Sequence, residues 1–258
     1  MMLLHWPPSR VGSERCKTAA QLKSPRSRGD LRRAALLKEL ARTPSKLHNL
    51  LQQLNVSESA IANYLTVTEG DIYDHQAVQK TLYVDGRPVD LIISGLGGKP
   101  RFEYGIKATL DNPTICQDGI QSIISAARSC PQKPRIVIIS TTGLSNTRDV
   151  PLMMLPLYHW LLKVPHADKK VMEDLVVAEM QKPEEERAID GYLFVRPSLL
   201  VNGDGDGLSK IRTGTDENPA VGYFISRRDV GLWIFERVIH QASLADCLYW
   251  GQKVSLTA

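Results

Sequence analysis

The segment His166-Ala-Asp-Lys-Lys170 carries an imidazole and an amine four residues apart. In a helix this spacing puts His166 and Lys170 on one face, where the two side chains can meet. Histidine titrates near neutral pH and could relay a proton, although a histidine at a helix start can also be an ordinary surface residue. Tyr158 is a second candidate acid, but no lysine follows it four residues later. These residues are therefore candidates for acid–base chemistry.

Two apolar runs that end in small residues predict the sheet that positions these side chains. One run leads from Val89 into Gly95-Leu-Gly-Gly98, and the other leads from Arg135 into Ser140-Thr-Thr-Gly143. A parallel strand covered by helices on both faces is apolar throughout, as both runs are. Open α/β sheets bind ligands beyond the carboxyl ends of their strands, so we expect a nucleotide-type crevice there. The alternative interpretation is that these Gly and Ser residues only start turns.

The rest of the chain predicts alternating helices and strands. Apolar spacing and capping signals indicate helices over 31–40, 44–54, 76–82, 114–129, 167–180 and 230–240, and strands over 65–68 and 192–195. This alternation predicts an α/β fold with a doubly wound parallel sheet. The helix over 167–180 is expected to place Val171, Leu175 and Val176 inward.

The expected domain organisation is a short tail followed by one domain. Residues 1–30 are rich in Ser, Pro, Arg and Lys without any period, so we expect them to be basic and poorly ordered. Residues 31–258 are expected to form the domain, with a small substrate-side subregion at about 144–165 and 198–228.

Charge and composition exclude some partners. The 258 residues carry 32 Lys+Arg against 28 Asp+Glu, a formal net charge of +4, and much of the excess lies before Arg42. Nucleic-acid binding needs basic groups clustered on a folded face, so no nucleic-acid partner is expected. The apolar stretch 151–164 is shorter than the roughly 20 residues of a membrane helix. We interpret it as a lid or substrate-pocket segment without stable membrane insertion, and a membrane-surface contact remains the alternative.

We expect no metal site, and we expect a cytoplasmic location. The cysteines show no C-x-x-C spacing, which indicates reduced thiols; they are Cys16, Cys116, Cys130 and Cys247. The run 202–207 looks superficially like a calcium loop, but Thr213 stands at its twelfth position, where such a loop needs Glu. A mobile glycine-rich loop that closes over substrate, or an idle surface loop, is the expectation there.

Several motifs in order along the chain together resemble a known family. They are Glu69-Gly-Asp71, Ile93-Ser-Gly-Leu-Gly-Gly98, Ile138-Ile-Ser-Thr-Thr-Gly143, the Lys169-Lys170 helix, Arg196-Pro197 and Ile225-Ser-Arg-Arg-Asp-Val230. Over about residues 31–245 the chain resembles the atypical short-chain dehydrogenases, and it is similar to NmrA-like and averufin-oxidase-like NAD(P)-binding proteins of fungi. The resemblance implies a Rossmann-like sheet, NADP(H) or NAD(H) as cofactor, and hydride transfer involving a small polyketide or aromatic metabolite.

The resemblance also implies the site residues. In this family a Tyr-x-x-x-Lys pair holds the nicotinamide ribose and relays a proton, and here His166 takes the place of the tyrosine. Lys170 is then the expected functional lysine, and Lys169 its exposed neighbour. The implied catalytic residues are Ser140, His166, Lys170 and Tyr158. The implied cofactor ligands are Arg42, Lys46, Asp71, Gly95, Leu96, Gly97, Thr141, Lys170 and Pro197.

The amino-terminal part departs from the family pattern. The family's G-x-x-G-x-x-G loop is absent. Residues 34–40 resemble the end of the family's first helix, and 42–47 resemble the segment after its second strand, where a basic residue meets a 2′-phosphate. We therefore expect strand 1, its glycine loop and strand 2 to be missing or replaced by the basic tail. A truncated or misassembled reading frame explains this better than loss of dinucleotide binding, because strand 1 is central in the doubly wound order.

These expectations leave more than one function open. The favoured one is an NAD(P)H-dependent oxidoreductase acting on a small-molecule substrate. The alternatives are a non-catalytic NmrA-like dinucleotide sensor or partner-binding protein, and an inactive truncated relative. The oligomeric state is not predicted.

Overall fold

A computed structural model describes residues 2–5, 36–103, 107–241 and 243–258. The expected poorly ordered segment 1–30 therefore lies outside the described residues, apart from Met2–His5. The helices are α1 (Pro44–Gln53), α2 (Glu58–Tyr64), α3 (His75–Thr81), α4 (Ile115–Ala127), α5 (Leu155–Trp160), α6 (Lys163–Met180) and α7 (Arg227–Ile234). The strands are β1 (Met2–His5), β2 (Leu36–Ala41), β3 (Leu65–Glu69), β4 (Tyr83–Val84), β5 (Arg87–Pro88), β6 (Leu91–Ser94), β7 (Pro100–Glu103), β8 (Lys107–Leu110), β9 (Arg135–Ile139), β10 (Gly191–Pro197), β11 (Leu199–Val201), β12 (Arg212–Gly214), β13 (Phe224–Ser226) and β14 (Lys253–Thr257).

The main sheet has eight strands in the order β12-β14-β10-β9-β6-β1-β2-β3. The predicted α/β class is confirmed, with β2 parallel to β3 and β10 parallel to β14. The helices expected at 44–54, 76–82, 114–129 and 167–180 are confirmed as α1, α3, α4 and α6. The helix expected at 230–240 is α7 continued by a π-helical turn over Phe235–Ile239.

The helix expected over 31–40 is wrong within the described residues, because Leu36–Ala41 is strand β2. It pairs in parallel with β3, from Leu37 opposite Leu65 to Ala41 opposite Glu69. The strand that follows the family's first helix is therefore present, contrary to the expectation that it is missing. Hydrogen bonding on both sides of β2 outweighs the helix propensity of its Leu, Lys and Glu residues.

The position of the family's first strand is held by β1, which runs in the opposite direction. Leu4 of β1 stands opposite Leu37 of β2 and opposite Leu91 of β6, and both pairings are antiparallel. The sheet thus contains a strand between β6 and β2, and within the described residues no parallel strand takes this position.

The chain divides into two compact units. Unit 1 comprises Met1–Ile93, Ser122–Ile136 and Arg187–Asp190. In this unit the Lys38 ammonium of β2 donates to the carbonyl oxygens of Lys80 (2.9 Å) and Tyr83 (2.8 Å), which ties the strand to the end of α3. Fully buried side chains such as Val78 and Leu82 form its core.

Unit 2 comprises Ser94–Gln121, Val137–Glu186 and Gly191–Ala258. Its core includes the fully buried Phe194 of β10 and the almost fully buried Trp233 of α7. The Ser226 hydroxyl caps α7 by accepting from the Asp229 N–H at 2.9 Å, as the S-x-x-D sequence predicts. In the described ranges, no helix is both long enough and apolar enough to cross a membrane.

Candidate active site

The amine of Lys169 lies at the carboxyl end of β9. Its Nζ donates to the carbonyl oxygen of Ile139, the last residue of that strand, at 2.8 Å. Lys170 points elsewhere: its side chain is half exposed and pairs with Asp174 one turn further along α6. The expectation that Lys169 is the exposed neighbour is therefore wrong. Adjacent residues on a helix face different directions, and here Lys169 faces the strand end.

Asp168 anchors α6 next to this lysine. Its carboxylate accepts from the backbone N–H groups of Cys116 and Gln117 at the start of α4, each at 2.9 Å. A carboxylate at a helix N-terminus is favourable because it meets unpaired N–H groups and the positive end of the helix dipole. Burial lowers the pKa of the Lys169 amine, and the carboxylates of Asp168 and Glu173 act in the opposite direction.

A buried ion pair lies one helical turn further along α6. The Glu173 carboxylate is fully buried and accepts from Arg196 of β10 through Nε (3.0 Å) and Nη2 (2.6 Å). It also accepts from the Ser140 hydroxyl at 2.6 Å. Burial lowers the pKa of Arg196, but the carboxylates of Glu173 and Asp216 outweigh this effect and raise it overall. The structure brings Ser140 to α6, with its hydroxyl proton directed at Glu173.

Tyr158 and His166 lie together in a second cluster. The two ring centroids are 5.2 Å apart, and the Tyr158 hydroxyl lies 3.1 Å from that of Thr142. Gly143 has φ +88°, and a Cβ there would come within 2.7 Å of the Tyr158 ring and 2.9 Å of the His166 ring. Burial raises the pKa of Tyr158. The Asp149 carboxylate, which sequence analysis missed, fixes this turn by accepting from the Gly143 N–H.

The turn after β6 has the open surface that a cofactor needs. Gly95 and Gly97 are exposed. A Cβ on Gly97 would meet nothing within 4 Å, and a Cβ on Gly95 would meet only the Ile139 Cδ1 atom at 3.6 Å. Packing inside the protein thus requires glycine at neither position, and both leave the backbone open to a ligand. The residues fit a dinucleotide lying against the backbone here.

Gly98 and Leu96 differ from these two residues in their surroundings. A Cβ on Gly98 would come 2.9 Å from the carbonyl oxygen of Asn112 and from the Leu110 Cβ, so internal packing explains this glycine. The Leu96 carbonyl accepts from the Cys116 thiol at 3.4 Å. Thr141 is partly buried directly after Ser140, and the Pro197 carbonyl accepts from the Thr142 N–H at 3.1 Å.

The residues expected to bind a 2′-phosphate lie in unit 1. Arg42 directly follows β2 and is exposed, with its Nε 3.7 Å from an Asp71 carboxylate oxygen. Lys46 is exposed on α1. The Asp71 carboxylate also accepts from the Tyr73 N–H at 3.2 Å, as expected of a turn residue. The assignment of Arg42 and Lys46 to a phosphate stays a prediction.

Sequence analysis missed Glu173, Asp168 and Asp216 as members of the site. A usable signal exists for the first two, because Asp168 and Glu173 flank Lys169 on a helix that otherwise needs apolar residues on its inner face. No local signal marks Asp216, which lies in a loop and reaches Arg196 at 2.6 Å.

Sequence comparisons identify a family and two fungal relatives of this chain. Residues 34–241 match the model of the NAD(P)H-binding family. Reductase pytE of Aspergillus terreus is 48% identical over 231 residues, which cover 84% of this chain and 87% of that protein. Oxidase pynE of Aspergillus niger is 34% identical over 237 residues, which cover 78% of this chain and 83% of that protein.

Solved structures share the fold at lower identity. A wide-type short-chain dehydrogenase/reductase from Veillonella parvula, solved in complex with NADP, has a TM-score of 0.58 at 14% identity, covering 86% of this chain and 82% of that one. The anaerobilin reductase ChuY from Escherichia coli O157:H7 has a TM-score of 0.53 at 18% identity, covering 85% and 82%. The family match over most of the chain and the two fungal relatives lead to one conclusion: this chain belongs to the NAD(P)H-binding family, and its Rossmann-like fold is similar to that of the Veillonella parvula short-chain dehydrogenase/reductase.

Proposed function

We propose that this chain is an NAD(P)H-dependent oxidoreductase that reduces a carbonyl, or oxidises an alcohol, of a small polyketide or aromatic metabolite. The observation that carries the proposal is the Lys169 amine at the end of β9, in the same unit as the open glycine turn after β6. The two fungal relatives bear the names reductase and oxidase, which supports redox chemistry.

The cofactor supplies or accepts a hydride when it is bound. Gly95 and Gly97 admit it to the backbone, because neither carries a side chain that would occupy this space. An ammonium group has three N–H donors, and Ile139 takes one of those of Lys169. The others are available to hydroxyl groups of the cofactor or substrate. Lys169 therefore takes the role that sequence analysis gave to Lys170.

Lys169 is also the proposed proton donor. Reduction of a carbonyl places a hydride on carbon and requires a proton on oxygen, and the Lys169 ammonium can deliver that proton before solvent replaces it. A pKa lowered by burial makes an ammonium a better acid near neutral pH. Ser140 and Tyr158 are proposed as positioning residues, because their hydroxyl groups are engaged by Glu173 and Thr142. His166 packs beside Tyr158 and supports that ring.

Neighbouring lysines on α6 offer a matched test. NADPH and NADH are titrated calorimetrically against the unmodified chain, Lys169→Met and Lys170→Met, and turnover is followed with a panel of aromatic ketones and quinones. We expect Lys169→Met to lose about 100-fold or more in kcat/KM. Lys170→Met should behave as the unmodified chain, since its half-exposed amine pairs with Asp174 and not with the strand end. Equal activity of both variants would contradict the role of Lys169.

The second candidate function is a non-catalytic dinucleotide sensor. The engaged hydroxyl of Ser140 favours it, because this group then offers no proton to a substrate. A sensor would bind NADPH tightly and give no turnover with any carbonyl substrate. The Lys169→Met variant would then show whether this lysine contacts the cofactor, because loss of the contact would weaken NADPH binding.

A further inference from the structure

Unit 2 contains a cavity of about 520 Å³ that the proposed proton transfer does not use. Its walls come from the segment after β9 and from residues between Asp206 and Phe224, together with Ala258. The polar side chains that line it are Arg148, Asp206 and Arg212, and the large apolar ones include Met153, Tyr223 and Phe224. A volume of this size suits a small organic molecule.

The apolar wall of the cavity is largely exposed. Met153 is 84% exposed, Leu152 is 66% exposed, and Tyr223 and Phe224 are each nearly half exposed. The Tyr223 and Phe224 rings lie 6.3 Å apart at an interplanar angle of 32°. Large apolar side chains gathered around one cavity indicate a binding site, because their contact with water is unfavourable. Two neighbouring aromatic rings favour a flat ligand.

Two of the three charged side chains that line the cavity are arginines. Arg148 donates to the Val150 carbonyl at 3.3 Å, and Arg212 donates to the Val221 carbonyl at 3.0 Å. Within the described ranges, neither guanidinium forms an ion pair, and Asp206 supplies the one carboxylate side chain among the residues that line the cavity. Each guanidinium has five N–H donors, of which the carbonyl takes one. Arginine forks of this kind match a carboxylate.

The cavity walls are joined to the buried ion pair at the strand ends. Ser145, from the first wall segment, donates to Asp216 of the second at 2.7 Å. Arg196 donates to both residues through Nη1, while its Nε and Nη2 hold Glu173 one turn after Lys169. The position of the cavity walls is therefore fixed by the same arginine that positions α6.

We propose that this cavity binds a flat aromatic carboxylate, with Arg148 and Arg212 on the carboxylate and Tyr223 and Phe224 on the ring. Its role as the substrate-recognition site rests on the oxidoreductase function proposed above. The binding itself requires neither cofactor nor turnover, so the two proposals can fail separately.

The test compares two ligands of the same shape and different charge. Calorimetric titrations use 2-naphthoate and the neutral 2-naphthamide with the unmodified chain, Arg148→Gln, Arg212→Gln and Tyr223→Ser. Arg87→Gln serves as the matched control, because it removes the same charge from exposed strand β5 in unit 1. Thermal unfolding of each variant shows whether it is folded.

We expect the unmodified chain to bind 2-naphthoate about tenfold or more tightly than 2-naphthamide, the ratio that a charged hydrogen bond supplies. Arg148→Gln and Arg212→Gln should lose this preference, Arg87→Gln should retain it, and Tyr223→Ser should weaken both ligands alike. Equal binding of the two ligands by the unmodified chain, absence of binding, or an equal effect of Arg87→Gln would overturn the proposal. Selective binding of 2-naphthoate, together with no NADPH turnover on the ketone and quinone panel, would instead refute the oxidoreductase function and support the binding site.

Discussion

The Lys169 amine donates to the carbonyl oxygen of Ile139 at 2.8 Å, which places a partly buried cation at the end of a central strand. Burial is the largest influence on this group and lowers its pKa from the ordinary value of 10.5. Between the lowered native pKa and the ordinary one, the unfolded chain binds more protons than the native chain. The free energy of unfolding should therefore rise with pH across this window.

This pH dependence is the first prediction. Urea denaturation from pH 7 to the ordinary lysine pKa of 10.5 should show a rise in stability that is absent in Lys169→Met. Cofactor affinity should change in the opposite direction, because loss of the ammonium proton removes a donor. Lys170→Met is the control and should keep the pH profile of the unmodified chain. Identical stability profiles for Lys169→Met and the unmodified chain would show that the amine titrates normally.

The buried pair of Arg196 and Glu173 predicts a large, non-additive effect on stability. Arg196→Met leaves the fully buried Glu173 carboxylate without its main counter-charge, so it should cost about 3 to 5 kcal/mol. The double variant Arg196→Met, Glu173→Leu removes both charges and should recover much of that loss. Urea denaturation measures both effects, and additive losses in the double variant would contradict the pairing.

Two adjacent glycines predict opposite phenotypes. Gly97→Ala should fold normally, because its Cβ meets only open space. It should bind NADPH more weakly, because the same Cβ would occupy the space proposed for the cofactor. Gly98→Ala should lower the melting temperature, because its Cβ would press on the Asn112 carbonyl oxygen at 2.9 Å. Thermal unfolding with and without NADPH separates these effects. Unchanged NADPH affinity in Gly97→Ala would remove this turn from the cofactor site.

Cys116 should resist alkylation in the folded chain. Burial is the main cause that raises the pKa of its thiol, to about 12, so almost no thiolate exists at pH 8. We expect iodoacetamide to leave Cys116 unmodified in native buffer and to modify it in urea. Peptide mass spectrometry measures the labelled fraction, and rapid labelling in native buffer would contradict the buried environment.

Arg42 should distinguish the two nicotinamide cofactors if the family resemblance holds. Arg42→Ala removes an exposed guanidinium at the end of β2, next to Asp71. We expect weaker binding of NADPH, by about 10-fold for a lost charge-assisted hydrogen bond, and little change for NADH. Arg87→Ala is the control for loss of charge alone. Equal effects on the two cofactors would remove Arg42 from the phosphate site.

The sequence alone was sufficient to predict the α/β class, the order of most helices and strands, and the two strand ends that carry Gly95 and Ser140. It was insufficient for β2, because a short apolar run fits a helix or a strand equally well and only pairing with β3 decides between them. Pairing between distant segments is not visible in a local pattern.

The hydrophobic pattern of the sequence also did not predict correctly which side chains of α6 face the interior. Val171 was expected inside, yet it is 42% exposed, while Asp168 and Glu173 are buried on the inner face. Their partners are the start of α4 and Arg196 of β10, both far away in the chain. Val176 is fully buried as expected and Leu175 is partly buried, so the hydrophobic period was wrong only for Val171 among these three residues. Lys170 was favoured over Lys169 because it stands four residues after His166.

The direction of β1 limits where a phosphate-binding loop can arise. His5, the last residue of β1, stands opposite Leu36 at the start of β2, and Leu4 stands opposite Leu91 at the start of β6. The chain therefore leaves β1 at the edge of the sheet where the parallel strands start. Open α/β sheets bind ligands at the opposite edge, where the parallel strands end. Grafting a glycine-rich turn immediately after His5 would consequently not rebuild the family's pyrophosphate loop; an engineer would first have to reverse the strand.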